Sequence, residues 1–135
     1  MKHRTQSIIA VLLAGVWINA SEFFRNEVLL KKYWLDHYHS LGLVFPSAPL
    51  NGAVWVAWGF LFAIAVFAIS RRFSMVQTAL VAWLTGFVLM WVVTWNLNVF
   101  PVAILIYAVP LSLLEAFVAA YLCAALCPVT NGLQG

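Results

Sequence analysis

The sequence predicts an all-α protein, an integral membrane four-helix bundle. Three observations carry that prediction: only 8% of residues are charged while 65% are hydrophobic, four apolar runs are each long enough to cross a bilayer, and polar or proline-containing breaks separate them. An ordinary soluble domain is roughly a quarter charged. This chain has too little polar side chain to cover a surface facing water, so lipid has to be its solvent. A helical crossing takes about 20 residues, and a chain of 135 residues holds four with short connections, which makes one transmembrane domain over 1–135.

The spans fall at about residues 7–24, 51–69, 74–95 and 102–127. Pro46, Pro49 and Gly52 lead into the second, Arg71 and Arg72 divide the second from the third, and Asn96, Asn98 and Pro101 divide the third from the fourth. Pro101 stands near the first turn of its helix, where a missing N–H costs nothing. The opening resembles a signal peptide in having Lys2 and Arg4 before an apolar run. Ile18 stands where a cleavage site wants a small residue, so the run is read as a retained first span.

Lys and Arg resist translocation, and the short Arg71-Arg72 hairpin is where that rule is most reliable. Lys2, Arg4, Arg71 and Arg72 lie on one side and Arg25, Lys31 and Lys32 on the other. The expected location is a bacterial plasma (inner) membrane, with both termini cytoplasmic. The scattered basic residues mark loops rather than a nucleic-acid stripe, so no nucleic acid is expected as a partner.

Residues 25–50 form the long connection between spans one and two. Phe24, Val28, Leu35 and Tyr38 recur at helical spacings, while Glu27 can pair with Lys31 and Lys32 with Asp36 at i,i+4. We expect an amphipathic interfacial helix there, or an extension of span one. The segment Val44-Phe45-Pro46 with Ala48 and Leu50 matches Val99-Phe100-Pro101 with Ala103 and Leu105. True duplication would make the bundle two repeated helical hairpins, related by an axis along the membrane normal; chance matching within an apolar chain is the competing explanation.

Chemistry centres on Glu115, near the middle of span four. An acid at that depth costs at least about 2.5 kcal/mol on insertion scales, so it is a functional-site candidate by default. No Lys, Arg or His lies within the four predicted spans, so no internal ion pair is expected. The carboxyl would then be protonated, bind a proton or cation, or meet another subunit. Helical spacing places Ala108, Ser112, Glu115, Ala119 and Cys123 on one small or polar stripe of span four, with Tyr107 at its border. Thr85 of span three lies at similar depth and is the expected hydrogen-bond partner. Pro110 should free the carbonyl of Ile106 and kink the helix before Glu115, setting a freed carbonyl beside the buried carboxyl as in the broken-helix sites of transporters.

A second cluster, Asp36-His37-Tyr38-His39, carries metal-ligand side chains, and Asp36 with His39 at i,i+3 would share a helical face. The ligand set is incomplete, and the metal, if any, is unknown. Cys123 and Cys127 lack the spacing of a redox pair and read as small packing residues. No predicted span offers an axial His for haem, and no catalytic motif is present. No cofactor is indicated.

The expected function is an accessory or assembly component, or a homo-oligomeric membrane binding unit, centred on a buried carboxyl with Glu115, Ser112 and Thr85 as binding residues. The alternatives are a proton- or cation-coupled small transporter using Glu115, and a membrane-embedded enzyme using Asp36, His37 and His39. Expected partners are the lipid bilayer and a homo-oligomer or larger membrane complex.

Overall fold

The computed structural model describes residues 2–129, and Lys2 through its backbone alone. Met1 and residues 130–135 of the expected domain, together with the Lys2 side chain, lie outside the described residues. Among the described residues, four helices are long and apolar enough to cross a membrane: His3–Leu29, Pro49–Ser70, Met75–Asn96 and Val102–Leu126. The fold is all-α, a membrane four-helix bundle.

Span one begins as α1 (Lys2–Phe23) and continues without a break through a π-helical turn, Phe24–Leu29. The Leu30 amide donates to the Arg25 carbonyl at 2.9 Å, five residues back. The resulting 27-residue span is about 40 Å long at 1.5 Å per residue, more than the roughly 30 Å of hydrocarbon it crosses. Leu30, at φ −108° and ψ 2°, breaks the helix. Next comes α2 (Lys31–Ser40), the short amphipathic helix expected in this connection. Its i,i+4 pairs form as the spacing predicts: Lys31 to Glu27 at 2.7 Å and Lys32 to Asp36 at 2.5 Å. The Asp36 carboxylate holds the exposed Lys32 ammonium above the usual lysine range. Gly42 closes the turn after α2 at φ +69°, a conformation that an L side chain would strain.

Span two is α3 (Pro49–Ser70), opened by a proline in its first turn. Span three is built from α4 (Met75–Trp83), a second π-turn (Leu84–Val88) and α5 (Leu89–Asn96). It starts on a capping box, with the Ser74 hydroxyl accepting from the Gln77 amide at 3.3 Å and the Gln77 side chain accepting from the Ser74 amide at 3.1 Å. Span four is a short 3₁₀ turn, Val102–Ile104, followed by α6 (Leu105–Leu126), which runs through Pro110. Both α3 and α6 are 22 residues long. Phe45 and Phe100, the aromatic residues of the two matching segments, both pack on Trp34, with ring centroids 6.1 and 5.9 Å away.

Span one lies against spans two and four, and span three against span four and span two. Without a hydrophobic gain from leaving lipid, such helices associate by close packing of small faces. Accordingly Ala10, Ala14, Ala63, Ala79, Ala82, Ala116, Ala119 and Ala120 are fully buried. The approach is close at Gly15 and Gly59, where an added Cβ would lie 2.3 Å from the Phe60 ring and 2.5 Å from the Asn19 amide nitrogen. Larger side chains enter where the π-turns alter the helical phase. Ala82 and Phe87 are both fully buried although five residues apart, the spacing of a π-turn.

Candidate functional site

Glu115 is fully buried, and the stripe of span four that carries it, Ala108, Ser112, Ala119 and Cys123, is buried with it. Span one supplies the facing residues. Its polar positions Ser21, Glu22 and Arg25 come at the end of its apolar run, and the π-turn keeps Arg25 within the bundle. Arg25 Nη1 donates to Glu115 Oε2 at 3.0 Å, while Arg25 Nη2 donates to Glu22 Oε1. The side chains of Arg25, Glu22 and Glu115 are 5%, 10% and 0% exposed. One guanidinium therefore bridges two acids inside the membrane, and its planar fork suits that task better than a lysine would.

Other donors complete the site. Ser21 Oγ donates to Glu115 Oε2 at 2.9 Å, and Trp17 Nε1 donates to the Glu115 main-chain carbonyl at 3.0 Å. Asn26 Nδ2 donates to Glu22 Oε2 at 2.9 Å, and Trp34 Nε1 of α2 donates to Asn26 Oδ1 at 3.2 Å. The Arg25 guanidinium also sits 5.0 Å above the centre of the Phe87 ring, a cation–π contact supplied by the π-turn of span three. Glu115 Oε1 is buried and has no hydrogen-bond donor among the described residues.

The geometry corrects three expectations. First, Glu115 does have a cation in its own chain. Ending span one at residue 24 put Arg25 in an outer loop, whereas the helix continues to Leu29 because the triad satisfies the charge that would otherwise have ended it. An acid and a base three residues apart at the end of an apolar run was the available signal. Second, Thr85 does not meet Glu115. It is exposed, and its hydroxyl donates to the carbonyls of Val81 at 2.8 Å and Ala82 at 3.3 Å in its own helix. The π-turn at Leu84 breaks the regular 3.6 period that placed Thr85 inward. Ser21 takes the role assigned to it. Replacing Thr85 by Val should accordingly shift stability by no more than about 0.5 kcal/mol, as measured by denaturant unfolding in mixed micelles. Third, Pro110 and Ile106 are exposed, away from the buried face, so the carbonyl that Pro110 frees does not join the site.

Ser112 shares the buried face without touching the carboxyl. Its hydroxyl accepts from Trp83 Nε1 at 2.9 Å and donates to the Val109 carbonyl at 3.1 Å. In the outer cluster Asp36 is taken by Lys32, His39 is exposed, and His37 Nε2 lies 3.0 Å from the Asn98 carbonyl. Among the described residues, no group of three or more His, Cys, Asp or Glu is placed to hold a metal ion. Cys123 and Cys127 are buried free thiols.

With every group ionised, two carboxylates face one guanidinium, a formal charge of −1 in a region that disfavours any net charge. One proton neutralises the cluster. Three of the four carboxyl oxygens already accept from nitrogen or hydroxyl donors, which leaves Glu115 Oε1 as the oxygen able to take it. A sodium-sized ion wants several oxygen ligands at once, and a single free oxygen suits a proton. Comparison with protein-family models, curated proteins and solved structures finds no match, so the chemistry of the triad has to be read from its own atoms.

Proposed function

We propose that this chain is a proton-binding unit of the membrane, with Glu22, Arg25 and Glu115 as the binding site, acting in proton-coupled movement of a small solute or of protons themselves. The observation that carries this reading is the second buried carboxyl with no second cation beside it among the described residues. A purely structural ion pair needs one acid and one base. The third member adds desolvation cost without adding a bond that packing requires, and intramembrane acids of this kind mark proton relays.

The accessory and homo-oligomer readings lose the support Glu115 lent them, because its carboxyl is engaged within its own chain instead of facing lipid or another copy. Orientation gains from the same geometry. With Arg25 inside the bundle, Lys2, Arg4, Arg71 and Arg72 stand against Lys31 and Lys32 alone, which favours cytoplasmic termini.

The test is a proton count. Wild type and Glu115→Gln, purified into lipid nanodiscs, are titrated in parallel in weakly buffered solution. The expected difference is one proton per chain, the excess of two carboxylates over one guanidinium, with near-unchanged helix content. Superimposable titration curves would refute the proposal.

A further inference from the structure

The surroundings of the triad differ on its two sides. Towards the termini it is followed by a close-packed apolar layer, in which Ala14, Ile18, Ala63, Ala116, Ala119 and Ala120 are all fully buried. Towards α2 a line of hydrogen bonds leaves it, running from Glu22 to Asn26 and from Asn26 to the Trp34 indole. That line passes beside a thin apolar cap, Leu30, Phe100, Ile104 and Ala108, on which Trp34 itself packs. Indole is a donor only and cannot relay a proton. The line is therefore a latch, and water has to replace Trp34 for the triad to exchange.

α2 has the joints such a movement needs. Leu30 leaves the helical conformation at its start, and Gly42 holds a left-handed one just beyond its end. Beyond Trp34, its ties are the His37 contact to Asn98, the tilted Tyr33–Tyr107 ring pair with centroids 6.3 Å apart, and the contacts of Tyr38 and Lys31 with the Phe45 ring just past Gly42, at 5.1 and 4.9 Å. The charged groups at the triad are Glu22 and Arg25 from span one and Glu115 from span four, and span three presents the Phe87 ring.

We infer that the triad exchanges its proton with the membrane face that carries α2 and not with the face that carries the termini, and that α2 is a lid latched by Trp34 through Asn26 to Glu22. This rests on the proton-binding reading above and adds its side of access and its gate.

The test uses the full chain in liposomes, with orientation read from the accessibility of Ser40→Cys on exposed α2. The probe is dicyclohexylcarbodiimide, which adds the oxygen of a protonated carboxyl to its central carbon and the carboxyl proton to its nitrogen. Labelling of Glu22 and Glu115 is followed by mass spectrometry, with the pH of the two faces set independently. Labelling should follow the pH on the α2 face and ignore the other. Trp34→Phe, which keeps the packed ring and removes the latch donor, should label up to about tenfold faster, the weight of one hydrogen bond in an opening equilibrium, with the pH midpoint unmoved. Labelling that follows the terminal face, or both faces equally, overturns the side of access while leaving the proton site standing. An unchanged rate in Trp34→Phe overturns the latch. Labelling indifferent to pH on either face overturns proton binding itself, and this inference with it.

Discussion

Replacing Arg25 by Met should destabilise the protein by about 3–5 kcal/mol, the usual result of removing one partner from a buried ion pair. Methionine fills much of the same space, so the loss is not mainly one of volume. What remains is two carboxyls, 10% and 0% exposed, without the guanidinium that held them together. The stacking on Phe87 goes as well. Arg25→Lys should recover only part of the loss, because one ammonium on a flexible stem cannot present two parallel donors to two acids. Combining Arg25→Met with Glu22→Gln and Glu115→Gln should recover most of it, since neutral side chains carry no uncompensated charge. Unfolding by sodium dodecyl sulfate in mixed micelles measures all three. If Arg25→Met alone unfolds at the wild-type midpoint, the triad carries no structural weight.

Phe87→Ala should cost about 3–5 kcal/mol, the usual range for emptying a fully buried aromatic site. Phe87 is fully buried, and its ring lies 5.4 Å from Phe62, 5.9 Å from Trp58 and 6.1 Å from Trp91, centroid to centroid. In a membrane the residue would meet lipid tails when unpacked, so the loss is one of contacts and ring geometry rather than of transfer from water. Phe87→Leu keeps much of the volume and should cost about 1 kcal/mol, close to the value of an aromatic pair beyond its area. Leu84→Ala, three residues earlier on the lipid-exposed side, is the control and should stay within about 0.5 kcal/mol. Equal effects at Phe87 and Leu84 would contradict the packing described here.

Some of this protein was determined by its sequence alone. Lipid leaves backbone groups no partner outside a helix, so four apolar runs can only be four helices. The i,i+4 pairs of α2 and the small stripe of span four depend on neighbours three and four residues away, and both appear where the spacing puts them. Glu115 stands out because an acid in hydrocarbon is costly whatever surrounds it. Its partners were decided only by the tertiary structure. Arg25 lies ninety residues from Glu115 in the chain, and whether a base at the end of a span stays in the membrane depends on whether an acid on another helix is waiting for it. The two π-turns act in the same way. Each shifts the helical phase by part of a turn, which brings Arg25 and Phe87 inward and leaves Thr85 facing outward. A regular 3.6-residue period cannot anticipate a π-turn, because the contacts that stabilise the extra residue come from other helices.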